Sequence, residues 1–225
     1  MVQKNPRGAS KRPTPPAAPA TPPRKRGRPR AFEPEAALER ALETFRDTGF
    51  AATSLDDLSA AMGINRPSLY SAFGDKRELF LKAYARYRKE IRERFARAFA
   101  PELTLRQSLE GVLGTALEVY TEGANGPQGC FTVMTAGSEA MADPEIRDTV
   151  QRALANTDWA LTAVFERAVA RGELAANADL PLLVQMVSST IVTLAVRSRA
   201  RFPRAELEAL CARTVDLACS GLLHT

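Results

Sequence analysis

The sequence is poor in the residues on which most catalytic and metal sites are built. It has one histidine, His224, one tryptophan and three cysteines in 225 residues. A histidine-based active site or a His/Cys metal cage is therefore excluded, and no metal or other cofactor is expected. Three scattered cysteines fit a reducing cytosol better than a disulfide framework. No run approaches the ~20 apolar residues that span a bilayer, and the first residues lack a signal peptide's apolar stretch. No membrane partner is expected, and the place of action is expected to be cytoplasmic. Nucleotide and nucleophile motifs are missing too. Gly123, Gly126 and Gly129 have a G-x-x-G-x-x-G spacing, but no strand precedes them, so they read as a loop rather than a phosphate cradle. The chain is not expected to be an enzyme.

Acidic residues are absent from one end. Residues 1–30 carry nine basic side chains and no acid, eight of the fifteen prolines, and Val2 as their one branched aliphatic residue. Residues 31–80 carry five bases and nine acids, and residues 81–225 carry seventeen of each. All of the net +5 thus originates in the first thirty residues. Such a segment buries too little apolar surface to offset its ordering entropy, so it reads as a disordered basic arm made for a polyanion. Nucleic acid is favoured over membrane because no amphipathic helix accompanies it. Its last part, RKRGRPR, sets Arg24, Lys25, Arg26, Arg28 and Arg30 around a Gly-Arg-Pro turn. This is an AT-hook-like run whose arginines suit a narrow minor groove. A nonspecific polybasic tail is the alternative.

The remainder reads as all-α. Apolar positions at helical spacing and Gly, Asn and Pro punctuation predict helices at 35–48, 104–121, 129–141, 144–171, 180–199 and 204–220. Between the first two lie two short helices and a long fourth one. Thr53 or Ser54 caps the second, Gly63 ends it, and Asn65 caps the third. Asp75-x-x-Glu78 caps the fourth, which runs to about residue 99. Two short helices crossing at a glycine turn form either a plain αα-corner or a helix-turn-helix, whose second helix enters the major groove.

The detailed string TSLDDLSAAMGINRPSLYSAFGDKRELF favours the latter. With Phe45, Gly49-Phe50, Thr53, Leu58–Ala61–Gly63, Ser68-Leu69-Tyr70, Phe73 and Asp75-Lys76-x-Glu78-Leu79, it resembles the DNA-binding domain of the TetR family of bacterial transcription regulators. The resemblance implies a three-helix reading domain at 31–80 and a helical ligand-binding and dimerisation domain at 81–225. The expected protein is a repressor that a small-molecule inducer releases from a palindromic double-stranded operator. It implies phosphate contacts from Tyr70, Lys76 and Thr53 or Ser54, Thr53 being otherwise a cap. Base reading falls to the outer side of the third helix, namely Asn65, Arg66, Ser68, Ser71 and Ala72. The planar fork of Arg66 fits guanine O6 and N7; a phosphate contact or a solvated charge is its other reading. Many relatives carry a bulky aromatic residue or histidine near Ser71 and Ala72, so the reading face is small here.

The resemblance also turns two apolar stripes from plain core into an expected homodimer interface. They are Leu183, Val187, Ile191 and Leu194, then Leu207, Leu210, Thr214 and Leu217. Expected liners of a ligand pocket, set among the segments at 104–121, 129–141 and 144–171 against the long fourth helix, are Val112, Leu113, Leu117, Tyr120, Cys130, Phe131, Met134, Met141, Trp159, Ala163 and Phe165, each with ordinary packing as the alternative. The Gly-Cys-Phe-Thr-Val around Cys130 resembles the Gly-Cys-Leu-Thr-Val of electrophile-responsive members; a small buried residue is the other reading. Cys211 and Cys219, eight apart on one helix, read as core. An architectural DNA-binding protein driven by the arm alone, without ligand, is the competing function.

Both readings of the arm make the same prediction. Deleting residues 1–30 weakens duplex binding and flattens the slope of log affinity against log salt. Titrations over a salt series measure this, and an unchanged slope and affinity would leave the arm without a DNA role.

Overall fold

The computed structural model describes Met1, residues 32–123 and residues 126–220. The basic arm, including Arg24, Lys25, Arg26, Arg28 and Arg30, lies outside the described residues. Ten α-helices and one 3₁₀ turn occupy them, and among the described residues there is no strand. The order is α1 Pro34–Thr48, α2 Leu55–Met62, α3 Arg66–Phe73 and α4 Lys76–Phe95, then the 3₁₀ turn Ala96–Phe99. It continues with α5 Leu105–Thr121, α6 Phe131–Gly137, α7 Glu139–Ala142, α8 Pro144–Ala170, α9 Leu180–Arg199 and α10 Arg204–Cys219.

Local chemistry accounts for the boundaries. Ser54 caps α2 and Asp75 caps α4, each in a reciprocal capping box with Asp57 and Glu78 respectively. Gly63 ends α2 at φ 66°, ψ 31°, the left-handed conformation that costs a residue with a Cβ about 1–2 kcal/mol. Two predicted helices are shorter than expected. The fourth tightens into a 3₁₀ turn at Ala96, and the segment at 129–141 breaks at Ser138 into α6 and α7.

The core is continuous from the first helix to the last. Around Phe80, which is 1% exposed, the rings of Phe45 on α1 and Phe131 on α6 pack edge-on with centroids 5.2 and 5.4 Å away. Phe131 in turn meets Tyr87 edge-on at 5.7 Å. One aromatic column therefore joins the helix-turn-helix to the helices beyond it. Beyond α4, the helices α5, α8, α9 and α10 pack against one another.

Helix α9 corrects one expectation. Its twenty residues contain an 18-residue window of mean hydropathy 1.5, long and apolar enough to cross a membrane, although it packs against α5, α8 and α10. Only 33% of that window is buried by the chain itself.

Polar contacts tie the reading helices to the body at three places. Arg77, in the first turn of α4, grips Asp143, the N-cap of α8, through Nε and Nη2, and its Nη2 also donates to Glu145 Oε2 at 2.7 Å. The buried Glu139 accepts from the Phe50 backbone N–H at 3.2 Å. Gln128 Nε2 donates to Asp47 Oδ1 at 2.7 Å, and Arg199 Nη1 donates to the carbonyls of Gln128 and Arg46.

The first of these has a pH signature. The Arg77 guanidinium, followed by the N–H groups of Ile146 and Glu145, holds the Asp143 carboxyl at about 2, below its ordinary 3.8. A depressed carboxyl stabilises the fold above its unfolded value and loses that contribution as pH falls through its folded one. The contribution is therefore complete above about pH 4 and fades towards pH 2. Asp143→Asn keeps a capping side chain but removes the charge. It lowers the urea midpoint at neutral pH and makes the decline between pH 4 and 2 shallower than in the parent.

Candidate nucleic-acid interface and ligand cavity

The α2–turn–α3 unit is held rigidly from behind. Leu58 and Met62 of α2, Leu69 and Phe73 of α3, and Ala41, Leu42 and Phe45 of α1 are all buried. Arg40 Nη1 donates to the Met62 carbonyl at 3.2 Å and fixes the end of α2 on α1. With its apolar side committed to this packing, α3 turns Asn65, Arg66, Tyr70 and Ser71 outwards, while Ser68 and Ala72 are half-buried at the edge.

Each expected DNA contact has its own local setting. Asn65 spends its side-chain oxygen on the Ser68 N–H at 2.9 Å, so it is first a helix cap. Tyr70 is 49% exposed. Lys76 is half-buried, its Nζ 4.4 Å from the Phe50 ring centroid. Ser54 is exposed and caps α2. Thr53 is a correction. It is 2% exposed, and its hydroxyl donates to the Gly49 carbonyl at 2.5 Å beside Thr48 Oγ1. That hydroxyl is spent inside the domain, because the turn after α1 needs a donor there.

Arg66 is not idle. Its Nε donates to Asp56 Oδ1 at 2.8 Å and its Nη2 lies 2.6 Å from Asp56 Oδ2. The fork that fits a guanine edge is thus closed on a carboxylate from the first turn of α2. Both partners are exposed and screened by solvent, so Asp56 is readily exchanged for a nucleic-acid acceptor. Asp56 was missed from the sequence because the pair joins two helices across ten residues.

A cavity of about 340 Å³ lies behind the interface, walled by α4, α5, α6, α8 and α9. Val112, Tyr120, Cys130 and Trp159 line it as expected from the sequence. Leu113, Leu117, Phe131, Met134, Met141, Ala163 and Phe165 do not. Leu113, Leu117, Phe131 and Phe165 are buried in ordinary packing, whereas Met141 is exposed. The wall that sequence reasoning overlooked is α9, through Ser188, Ile191 and Val192; α4, against which the pocket was expected, contributes Tyr87, Arg88, Ile91, Arg92 and Phe95, none of them named from the sequence. These residues look like plain helix surface until α8 and α9 are packed alongside.

Cys130 is buried, and its Sγ lies 3.4 Å from the Tyr87 hydroxyl, which also accepts from the Phe131 N–H at 3.3 Å. Burial, and then the nearby Cys130, pushes the Tyr87 and Tyr120 phenols well above their ordinary value, so both stay neutral donors. Cys211 and Cys219 are half-buried, and burial pushes both of their thiols up.

The dimer stripes need the largest correction. Leu183, Val187, Ile191, Leu194, Leu207 and Thr214 are buried by their own chain, and Ile191 lines the cavity. Leu210 is half-buried, and of the eight only Leu217 is exposed. The outer face of α9 instead carries Leu182 and Val196, with the exposed Val192 at the cavity's edge. No group of His, Cys, Asp and Glu among the described residues could hold a metal ion.

The arrangement matches known proteins along most of its length. The family model for bacterial regulatory proteins, tetR family, matches residues 37–83. The model for the tetracyclin repressor-like C-terminal domain matches residues 103–214. The HTH-type transcriptional repressor ComR of Escherichia coli (strain K12) is 28% identical over 175 residues, 77% of this chain and 83% of that protein. BdcR, an HTH-type transcriptional repressor of the same strain, is 35% identical over 122 residues, 54% of this chain and 60% of its own. A solved structure of a cysteine mutant of the TetR family transcriptional regulator CifR, complexed with 26 bp operator DNA, superposes with a TM-score of 0.76 at 30% identity. That match covers 84% of this chain and 98% of the other. A capped reading helix at one end, a helical body with an apolar cavity at the other, and these matches across both parts give one answer: the chain belongs to the TetR family of bacterial regulatory proteins.

Proposed function

We propose that the protein is a transcriptional repressor that grips a palindromic operator as a homodimer and lets go when a small molecule fills the cavity. The observation that carries this reading is the outer face of α3. It is capped and packed from behind, and it presents Arg66, Ser71 and Tyr70 at the end that a helix-turn-helix inserts into the major groove. Ser68 and Ala72 at its edge meet the same bases, while Tyr70, Lys76 and Ser54 take phosphates. The arm over residues 1–30 adds attraction that the acidic head, at five bases to nine acids, lacks. The sign of regulation follows ComR and BdcR, both repressors by name.

Pairing of two chains is supported by the outer face of α9. Leu182, Val192 and Val196 are exposed on α9, and Leu217 is exposed on α10. Two reading helices one DNA turn apart supply the specificity that one short helix lacks. The same α4 starts in the reading domain and ends in the cavity wall. A ligand that fits best with α4 displaced changes the spacing of the two heads and weakens the operator complex. The work is done in the cytoplasm, where the operator is.

Selecting bound duplexes from a random pool, then mapping protection upstream of the protein's own and neighbouring genes, tests the reading. A palindromic site is expected, and uniform coating of long DNA would contradict it. On the selected site, Arg66→Ala loses about 1–3 kcal/mol, roughly 5- to 150-fold, while binding to a scrambled duplex changes little. Equal losses on both duplexes would make Arg66 a phosphate contact.

A further inference from the structure

The cavity holds charge that its apolar wall does not explain. Arg88 and Arg92 both line it, one turn apart on the same side of α4. Four other basic residues of this helix find carboxylates: Arg77 with Asp143 and Glu145, Arg86 with Glu35 and Glu39, Lys89 with Glu93, and Arg94 with Glu122; Lys76 lies over the Phe50 ring and Lys82 donates to the Phe73 carbonyl. Arg88 and Arg92 make no ion pair among the described residues. Arg88 is half-buried, and its contact is the Ala153 carbonyl at 3.5 Å, the outer limit of a hydrogen bond. The carboxylate in the cavity wall, Asp158, accepts from the Ser188 hydroxyl instead. Tyr87 and Tyr120 are neutral, so they supply no negative charge either. The half-buried Arg88 guanidinium, with no carboxylate at ion-pair distance, gains more from an arriving anion than the exposed Arg92 does.

We propose that the cavity recognises a small apolar acid, whose carboxylate is taken by the fork of Arg88 with Arg92 beside it. The apolar body then lies among Ile91, Phe95, Phe99, Val112 and Tyr120. This inference rests on the ligand-release reading above and narrows the ligand's class. A planar guanidinium matches a carboxylate with two parallel hydrogen bonds, which gives orientation as well as affinity. A volume of about 340 Å³ suits a ligand of modest size. Because Arg88 belongs to α4, the acid is anchored to the helix that begins under the reading head.

Trp159, the chain's one tryptophan, lines the cavity at 75% exposure and reports on its filling. The full-length protein is titrated with octanoate, octanol and octylamine, which share one body and differ in the head, and Trp159 fluorescence is followed. Octanoate is expected to bind about tenfold or more tighter than octanol, as a charge-assisted pair gives, with octylamine weakest. Arg88→Ala should erase the preference of acid over alcohol, read as the ratio of the two affinities, while Arg88→Lys keeps part of it. Octanol binding as tightly as octanoate, or octylamine binding most tightly, would overturn the charge inference and leave the ligand site standing. That comparison is made on the parent protein, so it does not depend on a variant folding. If none of the three perturbs Trp159 and none weakens operator binding, the ligand-release reading falls together with the proposal.

Discussion

Everything that makes this chain one working object passes through the packing of aromatic rings around Phe80. The ring is buried, it sits on the first turns of α4, and it touches Phe45 of the reading domain on one side and Phe131 of the body on the other. Close-packed rings resist small displacements, since even a gap of less than an ångström forfeits much of the contact energy. A motion of α4 is therefore not absorbed locally but carried to the neighbours of Phe80. Phe131 follows Cys130 directly, and Cys130 is in the cavity wall. The distance from wall to reading domain is thus one residue step and two ring contacts.

The polar ties refine this picture by limiting which motions are possible. Glu139 holds the turn after α1 through Phe50, Arg77 holds the start of α8, and Arg199 reaches the end of α1 from α9. These ties come from three different helices of the body, so the reading domain is supported on a frame rather than suspended from α4 alone. The break at Ser138 between α6 and α7 lies next to Glu139, inside that frame. A shift of α6 against the cavity therefore reaches the reading domain by this path as well as along α4.

Local chemistry was legible in the sequence; long-range partnership was not. The capping pairs Ser54 with Asp57 and Asp75 with Glu78, the left-handed Gly63 and the helical periods all act within a few residues, and a string of letters records them. Thr53 against Ser54 was undecidable there, because both are capping types and only the packing of the preceding turn shows which one points inwards. The stripes on α9 failed for a different reason. A helix apolar on two sides shows the period of 3.6 on both, and the sequence does not say which side meets its own chain. Leu183, Val187 and Leu194 go inwards, and Leu182 and Val196 stay out. The α9 wall of the cavity and the pairing of Arg66 with Asp56 depend on where distant helices come to rest, and no spacing rule holds that information. The family resemblance supplied the architecture, while the chain's own charges supplied what is particular to it.

The uncovered face of α9 has a bearing on how the protein is made. A chain whose membrane-length apolar helix leaves Leu182, Val192 and Val196 exposed presents an adhesive surface from the moment it folds. Folding and solubility are then separate events for a newly synthesised copy, the second waiting on a suitable covering surface. Under pairing, the time each new chain spends uncovered depends on how soon it meets another, and so on how many copies are present.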